Sequence, residues 1–359
     1  MRRALILVVA ITLLVILALA LPVQTWRTGE LSQPELQYSA TPDRADRATR
    51  VWIDADAACG TGRRRDPDDC LAVLSLASAQ NMEIVGISTS FGNAPVSVTD
   101  SVMRKLVHEL GSDVGRVLPV FKGCGAAAQQ CLESGGSRNA QAALRQTLQA
   151  GAVDYVALGP LTNLAAVLTR EPALASRITR IIAVMGRRPG HRFHPSENRG
   201  IGAMLFGHGP IFRDLNAVLD TAAISVVLRS GVAIILVPYT AARQVSLTRS
   251  DLDRIAGTGR AGRWVAERSL SWLDFWRRDV GLNGFYPFDL MAAAYARDAT
   301  DFRCAHASAW VGDDALLGWF DGGPALLVAQ AERVPVSSIT KAEVRYCDVV
   351  GVRIDELFR

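Results

Sequence analysis

The sequence predicts an α/β fold, a Rossmann-like open sheet that is mostly parallel and flanked by helices, and three observations predict it. Short apolar runs recur at residues 51–53, 84–87, 153–158, 178–185 and 231–238. Strands buried on both faces of a parallel sheet read as such runs rather than as alternating patterns. Apolar residues at helical spacing separate them: Leu71, Val73, Leu74, Leu76 and Ala77 after the first run, and Val102, Leu106, Val107 and Leu110 after the second. The third observation is chemical. The first run ends in Asp54 and Asp56, and Asp66, Asp68 and Asp69 follow before the first helical pattern. Ligands of open α/β sheets bind outside the carboxyl ends of the strands, which is where these acids gather.

The chain has 359 residues, 49% of them hydrophobic, enough for one large α/β domain. Its net charge of +4 is mild and no Lys/Arg cluster is dense, which argues against a nucleic-acid partner. Residues 1–23 form a separate unit. Arg2 and Arg3 precede an uncharged apolar run over residues 4–21. Its eighteen residues just suffice to span a bilayer as a helix. The run exceeds the roughly 7–15 residues of a signal-peptide core, yet Ala18-Leu19-Ala20 resembles a cleavage site. A membrane anchor and a cleaved signal both remain open. Either places the rest of the chain on the extracytoplasmic side, with the positive end inside. Residues 24–48 are polar, contain Pro34 and Pro42, and read as a linker to a domain over residues 49–359. The six cysteines fit an exported protein, because an even count in an oxidising compartment favours disulfides. Proximity suggests Cys59–Cys70, Cys124–Cys131 and Cys304–Cys347 among the fifteen pairings that six cysteines allow. The absence of a C-x₂-C pair disfavours zinc.

Five aspartates between Asp54 and Asp69 repel one another and raise one another's pKa unless a cation neutralises them. Oxygen-only donors suit a hard divalent ion, Ca²⁺ or Mg²⁺. A solvated acidic loop in which Asp66 or Asp68 caps the following helix is the other reading. Further along, residues 153–164 read as strand, Gly-Pro turn and helix, with Thr162 placed to cap. Residues 187–210 are basic and Gly-rich and hold His191, His194 and His208. Asp214 and Asn216 form an Asp-x-Asn that on its own reads as a turn. Trp272, Phe275 and Trp276 lie near helical spacing, which reads as core more readily than as a stacking wall.

Four of these stretches, taken together and in order, resemble the inosine-uridine-preferring nucleoside hydrolase family. They are Asp54-x-Asp56 with Asp68-Asp69 and the Gly92-Asn93 turn; the V-A-L-G-P-L-T-N-L-A run through Leu158; Asp214-x-Asn216; and Pro287-Phe288-Asp289 with Ala292, Ala294 and Tyr295. The resemblance implies the nucleoside hydrolase fold and cleavage of the N-glycosidic bond of a ribonucleoside. It implies Ca²⁺, in preference to Mg²⁺, held by Asp56, Asp69, Asp289 and the carbonyl of Leu158. It implies Asp56 as general base, with Asp68, Asn93, Asp214 and Asn216 around the ribose. Two departures stand out. Residues 59–67 form an insertion where the family has a short Pro-Gly link. Phe288 occupies the place of the family's histidine, and a phenyl ring can stack on a base but cannot protonate it. His191, His194 or His208 is then the remaining candidate acid. The alternative is a Ca²⁺-dependent nucleoside- or sugar-binding protein without efficient turnover. The expected partners are a small nucleoside and, through the N-terminal segment, a membrane, with a homo-oligomer left open. Asp54-x-Asp56 after a strand also resembles phosphatase loops, but the chain has no P-loop lysine motif.

Overall fold

The computed structural model describes residues 6, 8–16, 35–40, 49–115, 117–133, 138–191, 193, 214–314, 324–335, 338 and 340–359. Among them ten strands form one sheet: β1 (Tyr38–Ala40), β2 (Thr49–Ala55), β3 (Met82–Thr89), β4 (Val120–Lys122), β5 (Val153–Ala157), β6 (Ile178–Ala183), β7 (Ile234–Leu236), β8 (Phe302–Asp313), β9 (Pro324–Ala329) and β10 (Lys341–Val349). The spatial order is β1-β8-β10-β7-β6-β5-β2-β3-β4, with β9 also on β8. From β10 to β4 every neighbouring pair is parallel. β8 runs antiparallel to β10, β1 and β9. The expected open, mostly parallel sheet is therefore present, closed at one side by antiparallel strands.

The order reverses at β2. From β2 the chain moves outward to β3 and β4, then returns to place β5 on the other side of β2. The diverging connections leave a crevice above the carboxyl ends of β2 and β5, the switch point at which such sheets bind ligands. Asp56 and Leu158 follow those two strands directly.

Helices cover both faces. α1 (Asp68–Ser78), α2 (Val96–Val114), α5 (Arg260–Phe275) and α6 (Phe288–Arg297) pack on one face, against Val51, Ile53 and Ala55 of β2. α3 (Arg138–Ala150) and α4 (Thr162–Arg170) pack on the other, against Trp52. Residues 51–55 are buried throughout because both faces of β2 are covered. Each fully buried Val, Ile or Leu contributes roughly 1.5–3 kcal/mol of transfer free energy, so α1, with Leu71, Val73 and Leu76 all at 0% exposure, is held by tertiary packing.

The structure revises several local expectations. The predicted linker over residues 24–48 contains β1, a strand too short to leave a periodic signal. Thr162 is the first residue of α4 and not its cap; its hydroxyl donates to Asp220 Oδ2 at 2.7 Å. The cap position of α1 is Pro67, which offers no side-chain bond, and the first N–H groups of the helix donate instead to Asp66 Oδ1 (3.2 Å) and Asp68 Oδ1 (3.1 Å). The three disulfides are Cys59–Cys70, Cys124–Cys131 and Cys304–Cys347, as proximity suggested. Residues 8–16 are helical with exposed apolar side chains, and no helix among the described residues is long and apolar enough to cross a membrane.

Candidate functional site

The carboxyl ends of β3, β5, β6 and β7 and the starts of α1 and α6 surround a cavity of about 250 Å³. Its acidic side carries Asp66, Asp68 and Asp289, and its sugar-sized rim carries Asn93, Leu158, Asp214 and Asn216. Val184, Met185, Tyr239, Trp272 and Phe288 make an apolar, largely aromatic wall, and Arg64 stands at the mouth.

Two helix starts bring the acids together. Asp68 and Asp69 open α1, and Asp289 is the second residue of α6. The backbone N–H of Asp289 donates to Asp68 Oδ2 at 3.1 Å, and that of Asp69 to Asp68 Oδ1 at 3.1 Å. Helix N-termini stabilise negative charge, which offsets part of the repulsion. Asp68, Asp69 and Asp289 each present an oxygen within 4.8 Å of the others, and all three are buried. Asp56 adjoins them: its N–H donates to Asp69 Oδ1 at 2.9 Å, and its Oδ2 accepts from the N–H of Asn93 at 2.7 Å. The Asn93 amide reaches both Asp56 Oδ1 (3.4 Å) and Asp69 Oδ2 (3.3 Å).

Burial is the main cause that pushes these carboxyls up. Asp56 is raised to about 7, mostly by desolvation, against the Asn93 bond and with help from the Asp68 and Asp54 charges. Asp69 and Asp289 are raised well above the usual carboxylate range, by burial first and by neighbouring carboxylates second. Asp66, partly exposed at its residue surface, is raised for the same two reasons. Among the described residues no Lys, Arg or His pairs with any of Asp56, Asp68, Asp69 and Asp289. A buried oxygen-only set without a counter-charge suits a hard divalent cation, so the donor chemistry fits one.

Asp54 has a different part. It is fully buried on the opposite face of β2 and accepts from Tyr155 Oη (2.6 Å), Ser88 Oγ (2.7 Å) and Asn163 Nδ2 (2.8 Å). Its backbone carbonyl accepts from the N–H groups of Leu158 and Gly159. Asp54 thus ties β2 to β5 and fixes where Asp56 and the Leu158 carbonyl emerge. That carbonyl accepts from Asn216 Nδ2 at 2.6 Å, and a second bond from the same nitrogen runs to the Val184 carbonyl at 3.0 Å. A carbonyl oxygen has two lone pairs, so the bond leaves Leu158 with one for a further partner. Asp214 lines the cavity while capping the short helix Leu215–Val218, with Gly186 N–H at 2.7 Å on Oδ2 and Ala217 N–H at 3.2 Å on Oδ1. Burial raises its pKa to about 6.

Of the candidate acids, His191 is buried and stands behind Tyr239 rather than on the cavity wall. His194 and His208 lie outside the described residues. Phe288 is on the wall as the resemblance implies; Trp272, Phe275 and Trp276 are buried in the core as their spacing suggested, and Trp272 also lines the cavity. Sequence reasoning missed Tyr239 and Arg64. Tyr239 directly follows the apolar run at 231–238, and that position at a strand's carboxyl end was a usable signal. Arg64 belongs to the 59–67 insertion, which Cys59–Cys70 staples to α1; it lies 5.2 Å above the Phe275 ring and 3.4 Å from Asp279.

A Cβ at Gly92 would overlap Asp56 Oδ2, so only glycine lets the β3 turn close on that carboxylate. Gly92→Ala is therefore expected to lower stability by about 1–3 kcal/mol in a urea titration, as overpacked sites do, and to weaken cation binding with it.

An open α/β sheet with an acidic, aromatic-walled cavity at its switch point defines an enzyme-like protein for a small polar ligand. The profile of the inosine-uridine preferring nucleoside hydrolases matches residues 51–346, and the chain belongs to that family. It is 25% identical over 217 residues to the non-specific ribonucleoside hydrolase RihC of Salmonella typhimurium, an alignment covering 55% of this chain and 66% of that protein. The chain thus spans just under two thirds of that relative's length. Among solved structures, a plant nucleoside hydrolase, PpNRh1, superposes with a TM-score of 0.65 at 19% identity, over 87% of this chain and 98% of that one. A purine-preferring ribonucleoside hydrolase from Gardnerella vaginalis gives 0.60 at 18% identity, over 86% and 97%. At these identities the structural likenesses carry the fold.

Proposed function

We propose that the protein hydrolyses the N-glycosidic bond of ribonucleosides, releasing ribose and a free base. The observation that carries this reading is the cluster of Asp68, Asp69 and Asp289, with Asp56 adjoining it, of which Asp68 and Asp289 open onto a cavity whose other wall is largely aromatic; Asp56 and Asp69 lie behind that lining. Carboxylates and amides suit a sugar, and the aromatic wall suits a flat base. Asp69 and Asp289, with Asp56 or Asp68 and the Leu158 carbonyl, would hold Ca²⁺. When bound, the ion supplies positive charge that grips vicinal ribose hydroxyls and makes an attacking water more acidic.

The chain's own groups do the rest. Asp56, buried beside Asp69 and bonded to the Asn93 N–H, is the group that takes the proton of the attacking water. Asn93, hydrogen-bonded to both Asp56 and Asp69, holds the two carboxylates in register. Asp68, Asn93, Asp214 and Asn216 orient the ribose, and Phe288 and Trp272 flank the base. Positioning of this kind supplies roughly 7–11 kcal/mol in well-oriented reactions. The three disulfides and the apolar run over residues 4–21 support export, with that segment as anchor or cleaved signal.

Phe288 favours a second reading, Ca²⁺-dependent nucleoside binding without efficient turnover, because it removes the proton donor that the family places there. One experiment separates the two. A panel of purine and pyrimidine ribonucleosides is incubated with the protein, with Ca²⁺ and with chelator, and reducing sugar is followed. Ca²⁺-dependent ribose release is the expected result. Ca²⁺-dependent nucleoside binding by calorimetry without release would establish the receptor instead.

A further inference from the structure

With Phe288 unable to donate, the described residues of the cavity wall still include one that bears a hydroxyl. Tyr239 lines the cavity at the carboxyl end of β7, 8% exposed, and its Oη lies 3.3 Å from Nδ1 of His191. The two rings are stacked, 5.9 Å between centroids and 7° apart in plane. Phe193 packs against Tyr239 at 4.8 Å and edge-on against Phe288 at 6.0 Å, so the hydroxyl-bearing ring and the phenyl ring share one neighbour on one wall.

The histidine behind Tyr239 is held firmly. Its carbonyl accepts from Arg187 Nη1 at 3.0 Å, its N–H donates to the Arg188 carbonyl at 3.1 Å, and Arg187 forms a buried ion pair with Asp314. Arg187 is also bracketed by backbone bonds to Leu326 and Val328 of β9. His191 further lines a second cavity of about 510 Å³, shared with Arg188, Thr240, Arg243, Arg303 and Asp348, which has no lining residue in common with the first. Tyr239 thus lies on the wall of the first cavity with its hydroxyl on His191, a residue that lines the second.

We propose that Tyr239 protonates the departing base and that His191 resupplies the proton, a role that rests on the hydrolase reading above. As the C1′–N bond breaks, its electron pair stays on the base and Tyr239 Oη gives its proton to a ring nitrogen. Oη is then reprotonated by the Nδ1 proton of His191, and Nδ1 recovers that proton from solvent before the next turnover. Water supplies the hydroxyl to C1′ and its proton to Asp56, which returns it to solvent, so the sum is nucleoside plus water to ribose plus base. Phe288 then needs to do no more than stack.

The test compares two leaving groups. A purine or pyrimidine base needs protonation to depart, whereas 4-nitrophenolate does not. Tyr239→Phe keeps the ring and its packing and removes only the hydroxyl. It is expected to lower kcat on the best ribonucleoside by roughly 10²–10⁴-fold, the usual worth of a general acid, and to leave 4-nitrophenyl riboside hydrolysis little changed. His191→Gln should show the same asymmetry in weaker form. Equal losses on both substrates, or no loss on the nucleoside, would overturn the assignment. Wild-type protein that cleaves the nitrophenyl riboside but no nucleoside would also overturn it, while sparing the hydrolytic half of the site. Wild-type protein that cleaves neither removes the hydrolase reading, and this inference with it.

Discussion

On the proposed mechanism, changing Asp56 to asparagine is expected to lower ribonucleoside turnover by roughly 10²–10⁴-fold while leaving the protein folded, the loss that follows when a general base is removed. The side chain is fully buried, and the substitution exchanges one oxygen for an NH₂ group of equal size. The bond from the Asp56 N–H to Asp69 comes from the backbone and survives. The Asn93 N–H at 2.7 Å can still donate to the amide oxygen. Lost are the ionisable group raised to about 7 and one charge of the acidic cluster. Because burial penalises that charge, the variant should unfold at the same or a higher temperature in the absence of cation. Steady-state ribose release and a thermal melt check both halves, and unchanged turnover would move the base to another residue.

The second large effect is a pH-dependent stability that a cation reverses. Folding raises Asp54 and Asp214 from 3.8 to about 6 and Asp56 to about 7, in each case mainly through burial. Below the unfolded value both states are protonated, and the fold bears no penalty. As pH climbs through the folded values, the unfolded chain has already ionised while the folded one resists, so the stability contributed by these groups is lost between about 4 and 7. The metal-free protein should therefore melt several degrees lower at pH 8 than at pH 5. On the proposed cation site, added Ca²⁺ should recover the difference, with about 2.7 kcal/mol at a hundredfold excess over its Kd. Melting curves with and without chelator measure this directly. A melting temperature that ignores both pH and Ca²⁺ would rule out the cluster as a cation site.

Much of this arrangement was legible in the sequence because it is local. The acids lie at the end of one apolar run and the start of one helix, so a linear reading places Asp54, Asp56, Asp68 and Asp69 near each other. Asp289, more than two hundred residues on, entered only through resemblance to the family, and the structure brings it to Asp68 by a backbone bond. The division of labour among the acids was not legible. Asp54 and Asp56 differ by two positions, yet one is enclosed by Tyr155, Ser88 and Asn163 while the other adjoins the cluster. That difference depends on which neighbours β5 and α4 deliver, which the run itself does not encode. Tyr239, and its contact with the candidate His191, escaped for the same reason: nothing in their spacing reveals a contact that forms when β7 ends beside the 187–191 segment.

β1 has a practical bearing on any shortened form of the protein. Tyr38, Ser39 and Ala40 pair with Ala305, Cys304 and Arg303, along the side of β8 that β9 leaves uncovered at that end. A chain begun at residue 49, where the apolar pattern starts, would lose that cover. The ladder groups of residues 303–305 would then stand open beside the Cys304–Cys347 bridge, a template onto which a strand of another molecule can add. Such a form would tend toward association in solution even with its cavity intact, so the boundary of a well-behaved fragment lies before Glu35.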